Sequence, residues 1–257
     1  MAQSVAVRAD ERESGPARHD RRVQAHRPTF VGLLTPMPSE LRPVVKAFGL
    51  RKIVVDGTEV HAGTVGSVAV VAMKTGMGTE RARRATERLL DTMAVDHVMV
   101  VGIAGGMGPS AVGDVLFPAV VVDKHSGREY APNALPGVTP AGKLVTHDDF
   151  DMGPEEHARL VADGFIAVDM ETAAIAAVCE TRGCAWSAVR VISDLVGVTP
   201  GGVIDLADAD GNPKLGAGLR YMVRHPGDVP KLLRLARDST AAATAAARAA
   251  AETILRP

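Results

Sequence analysis

The sequence predicts an α/β fold, a three-layer sandwich in which a central, mainly parallel, twisted sheet carries helices on both faces. From Thr29 onward, short runs rich in Val and Ile alternate with helix-like segments. The runs are almost continuously apolar, which is typical of strands that are buried on both faces. Regular alternation of strands and helices favours a doubly wound sheet, and an added hairpin would make that sheet mixed.

Six apolar runs are predicted to be strands, at residues 30–34, 68–73, 97–103, 115–122, 165–168 and 186–192. Residues 57–60 and 61–65 are predicted to add a hairpin. Four segments are predicted to be helices, at residues 39–48, 79–93, 171–182 and 229–255. Glycines directly after the first and third helices are expected to end them, because glycine readily takes the left-handed conformation that follows a helix. The last helix is rich in Ala and is expected to cover the sheet edge or to pack on a neighbour.

The composition indicates one globular domain. The chain has 257 residues, of which 46% are hydrophobic and 3% aromatic, and this is not the composition of a disordered protein. Residues 1–28 mix Arg with Asp and Glu and contain little apolar material, so we expect a flexible N-terminal tail. Residues 29–257 then fit a single α/β domain of ordinary size.

Charge and composition exclude several classes of protein. The chain has 29 basic and 30 acidic residues, a balance that argues against a protein that neutralises nucleic-acid phosphates. No apolar run approaches the 18 or so residues that span a bilayer, and the tail lacks the apolar segment of a secretion signal. Cys179 and Cys184 are too few for a disulfide framework, and the histidines show no metal-ligand spacing. We therefore expect a cytoplasmic protein with free thiols, no membrane span and no metal site.

Three carboxylates follow predicted strands and should meet at one edge of the sheet, where open α/β sheets bind ligands. They are Glu40, Glu171 and Asp194. Each also has a purely structural explanation, because Glu40 and Glu171 lie where helices begin and Asp194 could cap a turn. Three separate coincidences would be needed to bring all of them to one edge without a function. The sequence therefore favours a binding or catalytic site there.

Two glycine-rich turns lie at the same edge. Gly76 and Gly78 open a helix, whose backbone N–H groups could hold an anion or ribose oxygens, or they form an ordinary strand-to-helix turn. Gly105 and Gly106 end a buried strand, where they could let a ligand ring lie against the backbone or simply allow tight packing. Neither turn belongs to the full G-x-G-x-x-G fingerprint or to a P-loop, so nicotinamide and nucleotide-triphosphate chemistry lose support.

Five motifs occur in order along the chain: Val31-Gly32-Leu33-Leu34 with Met37 and Glu40, Gly76-Met77-Gly78, Gly102-Ile103-Ala104-Gly105-Gly106 with Val112-Gly113-Asp114-Val115, Ala167-Val168-Asp169-Met170-Glu171 with Ala173-Ala174-Ile175-Ala176, and Val189-Arg190-Val191-Ile192-Ser193-Asp194. This series resembles the nucleoside phosphorylase/nucleosidase superfamily. It is most similar to the methylthioadenosine/S-adenosylhomocysteine nucleosidases. The resemblance covers residues 31 to about 194 and is specific in combination.

The resemblance implies cleavage of a purine N-glycosidic bond without a metal or an organic cofactor. It implies that Asp194 protonates the purine at N7 and that Glu40 positions and deprotonates the attacking water. Because the departing base leaves an oxocarbenium-like sugar, protonating the base and placing carboxylates near the cation both lower the barrier. The substrate-binding residues that it implies are Glu171, Met170, Phe150, Met152, Gly76, Gly105, Gly106 and Ser193. Among these, Glu171 would bind the ribose hydroxyls and the Phe150 ring would stack on the purine.

Two departures from the family bear on the substrate. Asp151 stands where the family tends to have an apolar residue, and the stretch 130–146 is shorter than in the nucleosidases. The last third of the chain, including residues 201–205 and 230–238, is more similar to hopanoid-associated phosphorylases, which would act on a large adenosylated lipid. The nucleoside and its 5′ group therefore stay open.

The sequence favours a homodimeric hydrolase acting on a purine nucleoside such as methylthioadenosine or S-adenosylhomocysteine. Phosphorolysis is the alternative, including the adenosylhopane type, but it needs cations around the phosphate. Only Arg42, Lys74 and Arg81 are available in the loops concerned, which favours hydrolysis. A second alternative is a catalytically degenerate nucleoside-binding protein. The enzyme requires the three carboxylates to converge, whereas the binding protein does not.

Overall fold

The computed structural model describes residues 28–148, 152–197, 208, 210, 212 and 214–256. Within them, one sheet of eleven strands packs with six helices. The strands are β1 (Phe30–Thr35), β2 (Arg51–Val55), β3 (Thr58–Val65), β4 (Val68–Lys74), β5 (His97–Gly106), β6 (Val115–Leu116), β7 (Val120–Asp123), β8 (Glu129–Tyr130), β9 (Lys143–Thr146), β10 (Phe165–Asp169) and β11 (Ala185–Leu195). The helices are α1 (Pro38–Phe48), α2 (Thr79–Thr92), α3 (Pro154–Ala162), α4 (Thr172–Arg182), α5 (Leu215–Arg224) and α6 (Val229–Leu255), with a 3₁₀ turn at Pro226–Asp228.

The sheet is mixed, with the strand order β2-β3-β4-β1-β5-β10-β9-β7-β8, and β11 pairs with β5 and β6. Over the described residues, five pairings are parallel and five are antiparallel. The mixed α/β class is confirmed, but the prediction of a mainly parallel sheet was wrong in part. Four antiparallel pairings belong to the β2-β3-β4 meander and to the two-residue strands β6 and β8. The fifth lies inside the sheet, where β10 runs antiparallel to β5.

Two apolar clusters cover the two faces of the sheet and give the three layers. On one face, residues of α2 and α4 such as Leu89 and Ile175 pack with Val100 of β5. On the other face, α1 and α6 contribute Phe48 and Ala246, respectively. Burial on both faces explains why the central strands are almost continuously apolar in sequence.

Most predicted helix and strand boundaries are confirmed to within a few residues. Gly49 and Gly183 follow α1 and α4 in the left-handed conformation, with φ of 63° and 68°, as the sequence indicates. Helix α4, which is the third of the predicted helices, begins one residue later than predicted, because Glu171 occupies its N-cap position. Strands β5 and β11 run three residues beyond their predicted ends, and these extra residues include much of the candidate site.

Two predicted elements were wrong. Residues 57–60 and 61–65 do not form a hairpin, because β3 is one continuous strand. The turn instead lies at Asp56 and Gly57, which have positive φ values of 46° and 73°; an Asp-Gly pair with two positive φ angles suits a tight hairpin between β2 and β3. The run 115–122 is also two strands, and Pro118 between them has no N–H to donate to a sheet.

Helix α6 covers a face of the sheet, where it packs on β5, β11 and α1. The expectation that it covers a sheet edge was therefore wrong. Its small Ala side chains, including Ala242, Ala246 and Ala250, are buried against the sheet and allow close approach of the helix. In the part of the chain that the structure describes, none of the helices is long and apolar enough to cross a membrane. The predicted tail lies outside the described residues, apart from Pro28.

Replacing one of these buried alanines by a larger residue tests the close packing of α6. Ala246 is 0% exposed, so Ala246→Leu must displace the sheet or the helix, and we expect a loss of about 1–3 kcal/mol of folding free energy. Ala241→Leu, on the exposed side of the same helix, is the matched control. Thermal unfolding followed by circular dichroism should show a lower Tm for the first variant only; equal Tm values would contradict this packing.

Candidate active site

A fully buried arginine lies at the centre of the candidate site. Arg190 belongs to β11 and is 0% exposed. Its Nη2 donates to Asp169 Oδ2 over 2.6 Å and lies 3.7 Å from Glu171 Oε2. Its Nη1 donates to the Ile103 carbonyl oxygen over 3.4 Å. A charge removed from water in this way must be neutralised and hydrogen-bonded by the protein, and the neighbouring carboxylates do both.

Asp169 is the last residue of β10, and two threonines from β9 and α4 hold its side chain in place. The Thr146 hydroxyl donates to Asp169 Oδ1 over 2.7 Å, and the Thr172 hydroxyl donates to Asp169 Oδ2. Arg190 Nη2 also donates to Thr172 Oγ1, over 2.9 Å. Side chains from β9, β10, α4 and β11 therefore form one buried polar network, which fixes the guanidinium of Arg190 in a single orientation.

Glu40 reaches the same network from the first turn of α1. Its side chain is almost fully buried. Oε2 accepts the Met37 N–H over 2.9 Å, and Oε1 accepts the Ile103 N–H over 2.9 Å. Burial raises the pKa of Glu40 to about 7, against the lowering effect of the Arg190 charge. Glu40 therefore gains and loses a proton near neutral pH.

Glu171 joins the site to the first glycine-rich turn. Its Oε1 accepts the Gly78 N–H over 3.0 Å, and its carboxylate faces Arg190. Burial raises its pKa to about 8, with the charge of Asp169 as the next contribution. Gly76 and Gly78 have φ values of 84° and 93°, a region that side-chain-bearing residues rarely occupy. The glycines are thus required by the turn that presents this amide to Glu171.

Gly102 makes room for the converging side chains. It lies opposite Arg190 in the β5–β11 pairing. A Cβ atom at this position would lie 2.3 Å from Glu40 Oε1 and 2.5 Å from Arg190 Nη1, far inside van der Waals contact. The Glu40 carboxylate and the Arg190 guanidinium therefore both lie over the backbone of this glycine.

Asp194 and Ser193 lie four and three residues beyond Arg190 on the same strand. The pairing of β11 with β5 shifts by one residue between Ile192 and Asp194, which is the signature of a β-bulge, a feature that re-aims side chains beside active sites. The Ser193 hydroxyl donates to Asp194 Oδ1 over 2.6 Å. Ser193 is buried, whereas Asp194 is only half-buried. Asp194 stands opposite Gly105 of β5, at the sheet edge that the sequence indicated.

The other predicted site residues have mixed surroundings. The Cβ directions of Gly105 and Gly106 point at apolar side chains, including Val168 and Ile192, which fits the tight-packing explanation; their contact with a ligand stays a prediction. Met170 is half-buried between Asp169 and Glu171. Met152 packs against the third apolar cluster, beside Leu160. Phe150 and Asp151 lie outside the described residues.

Arg190 and Asp169 are part of the motif series, but the sequence analysis predicts no role for either residue. The signal was present for Arg190, since it is the one charged residue in the apolar run 186–192, and a charge inside a buried strand demands a partner. Thr146 and Thr172 carried no comparable signal. Over the described ranges, no group of three His, Cys, Asp or Glu side chains is placed to hold a metal ion.

The comparison with protein families decides the relationship. The family model described as the phosphorylase superfamily matches residues 30–143 and 135–212, which is more than half of the chain. The chain belongs to the phosphorylase superfamily. It is therefore an enzyme of the purine nucleosidase or nucleoside phosphorylase kind, as the motif series indicated. Helices α5 and α6 lie beyond the matched ranges.

Relatives and solved structures agree with this assignment. The chain is 31% identical to the 5′-methylthioadenosine/S-adenosylhomocysteine nucleosidase of Geobacillus kaustophilus over 185 residues, which are 60% of this chain and 78% of that protein. The fold is similar to that of the corresponding Helicobacter pylori enzyme with butyl-thio-DADMe-Immucillin-A, at a TM-score of 0.65 and 18% identity over 88% of this chain and 97% of that one. It is equally similar to the futalosine hydrolase of Helicobacter pylori, at a TM-score of 0.65 and 17% identity over the same shares.

Adding a methyl group at Gly102 should disrupt the site. We expect Gly102→Ala to push Glu40 and Arg190 apart, to lower folding stability by about 1–3 kcal/mol and to reduce kcat/KM about 100-fold, as displacements near 1 Å do. Gly216→Ala is the matched control, because a Cβ there meets nothing within 4 Å. Thermal unfolding and steady-state kinetics measure the two effects. Wild-type values for Gly102→Ala would contradict the arrangement.

The raised pKa of Glu40 predicts a pH-dependent stability. The folded protein keeps this proton up to about pH 7, whereas the unfolded chain releases it above about pH 4.5. The stability from Glu40 is therefore fully present below about pH 4.5 and is lost as pH rises through about 7.

Glu40→Gln removes this titration and keeps Glu171, to whose raised pKa the Glu40 charge makes the smallest contribution. We expect the stability of the wild type relative to Glu40→Gln to fall by on the order of 3 kcal/mol between pH 4.5 and 8. Denaturant unfolding of both proteins at several pH values measures it. A stability difference that is independent of pH would contradict the shifted pKa.

Proposed function

We propose that this protein hydrolyses the N-glycosidic bond of a purine nucleoside, with methylthioadenosine or S-adenosylhomocysteine as the substrate class. The observation that carries the proposal is the convergence of Glu40 and Glu171 on Arg190, in one buried cluster over Gly102 of β5. A nucleoside-binding protein without activity would not need two buried carboxylates around one cation. The named nucleosidase relatives support the same reaction.

The reaction needs an acid for the base and a water molecule for the sugar. In this proposal Asp194 protonates the purine, which turns the base into a good leaving group. Glu40 takes the proton of the attacking water, and a pKa of about 7 suits a base that works near neutral pH. Glu171, beside Met170, binds the ribose hydroxyls. In their ionised forms, the carboxyl groups around the sugar stabilise the positive charge that develops as the base departs.

The charges of the site favour water over phosphate as the nucleophile. Among the described residues, the buried cation Arg190 already faces Asp169, Glu171 and Glu40, so it is not left to bind an anion. Lys74 and Arg81 beside the first glycine turn lie 3.8 and 3.1 Å, respectively, from Asp210 Oδ1. Phosphate would have to displace these carboxylates, whereas water would not.

Replacing the proposed acid tests the proposal. Asp194→Asn removes the transferable proton with little change of shape, and we expect kcat to fall by about 10²- to 10⁴-fold while Tm stays at the wild-type value. Adenine release from methylthioadenosine in phosphate-free buffer is the assay. Asp163→Asn, on the exposed end of α3, controls for the loss of an aspartate charge. Near-wild-type turnover by Asp194→Asn would overturn the role of Asp194 as the acid.

A further inference from the structure

Two cysteines away from the catalytic cluster lie side by side where α4 ends. Cys179 belongs to the last turns of α4 and is fully buried, whereas Cys184 directly precedes β11 and is only half-buried. Both are free thiols. Two residues of the buried polar cluster belong to the same elements: Glu171 is the N-cap of α4, and Arg190 lies in the middle of β11.

The way in which α4 ends brings the two side chains together. The N–H of Cys184 donates to the Cys179 carbonyl over 2.9 Å, and the N–H of Gly183 donates to the Glu180 carbonyl over 3.3 Å. With Gly183 left-handed, these two bonds form a Schellman motif, in which the side chains five residues apart contact each other. Apolar residues usually make that contact. Here cysteines occupy both positions, and the Cys184 thiol also lies within hydrogen-bonding distance of the Val95 and Ala185 carbonyls, at 3.8 and 3.4 Å.

The same backbone hydrogen bond keeps the pair within disulfide range. The path from one Cα to the other runs through the Cys179 carbonyl group, the 2.9 Å hydrogen bond and the N–Cα bond of Cys184. Standard bond lengths then limit the Cα–Cα distance to about 6.8 Å at most, and natural disulfides span Cα distances of about 4.4–6.8 Å. The Cα–Cα distance therefore does not prevent the two sulfur atoms from bonding.

The two thiols also differ in the way that an oxidisable pair requires. The neighbouring Cys179 thiol lowers the pKa of the Cys184 thiol, and Cys184 is the more exposed of the two. The neighbouring Cys184 thiol, together with burial, raises the pKa of Cys179. The accessible sulfur is thus the better nucleophile, and the protected sulfur stands beside it as the resolving thiol.

We propose that Cys179 and Cys184 form an oxidation site, a dithiol that low-molecular-weight disulfides convert reversibly into an intramolecular disulfide. The Cys184 thiolate attacks one sulfur of the small disulfide, forms a mixed disulfide and expels one small thiolate. The Cys179 sulfur then gives up its proton and attacks the Cys184 sulfur, and the second small thiolate leaves. Two protein thiols are oxidised, and one small disulfide is reduced to two thiols.

Tryptic mapping of the full-length protein tests the proposal directly. Arg182 lies between the cysteines, so trypsin places Cys179 in peptide 160–182 and Cys184 in peptide 183–190. After reduction, the native protein is incubated with oxidised glutathione, free thiols are alkylated, and the digest is analysed without reductant. We expect the two peptides to appear joined, at about 2 Da below the sum of their masses, and to separate after dithiothreitol.

Single substitutions distinguish the two roles. In Cys179→Ala, which keeps a small apolar side chain in the core, Cys184 should accumulate the glutathione mixed disulfide that the wild type resolves. In Cys184→Ser, the buried Cys179 should remain alkylatable only after unfolding. Mixing ¹⁵N-labelled and unlabelled protein shows whether the joined peptides come from one chain. Peptides joined between chains, a persistent mixed disulfide in the wild type, or two unreacted thiols would each overturn the proposal.

Discussion

The ion pair between Arg190 and Asp169 is the interaction on which the rest of the site depends. Both groups are buried, at 0% and 6% exposure, and removing one partner of such a pair typically costs about 3–5 kcal/mol. A buried pair contributes little net stability, but it imposes a fixed geometry. Four secondary-structure elements supply the polar side chains that form this ion pair and its hydrogen bonds. Gly102 must lack a side chain so that the Glu40 carboxylate can approach Arg190.

The same burial links the architecture to the proposed chemistry. Glu40 and Glu171 retain protons near neutral pH because they are enclosed by the sheet and its helices, while the Arg190 charge keeps the shifts moderate. A carboxyl group with a pKa near 7 can accept a proton from water during turnover and return it afterwards. Glu40 follows β1, whereas Glu171 follows β10, which pairs antiparallel with β5; both carboxyl groups lie near the Arg190 guanidinium of β11. Asp194 lies on the same strand as Arg190, beyond the bulge.

Much of the fold could be predicted because its signals are local. The ends of α1 and α4 follow from Gly49 and Gly183, and the central strands follow from runs that are apolar on both faces. The antiparallel pairings of β6 and β8 were missed because these strands have two residues each and depend on tertiary partners. That of β10 with β5 was missed because neither sequence shows in which direction the two strands run relative to each other. In the site, helix starts and strand ends predicted Glu40, Glu171 and Asp194, and the structure brings Glu40 and Glu171 together around Arg190. The threonines that hold Asp169 could not be found, because their role exists only once β9 and α4 meet.

The proposed reaction requires that water, deprotonated by Glu40, is the nucleophile. The most direct measurement is cleavage of methylthioadenosine in ¹⁸O-labelled water, with mass spectrometry of the sugar product. Hydrolysis predicts a free methylthioribose that carries one ¹⁸O atom at the former glycosidic carbon, at the same rate with and without phosphate. An unlabelled sugar phosphate, formed only when phosphate is present, would contradict the account.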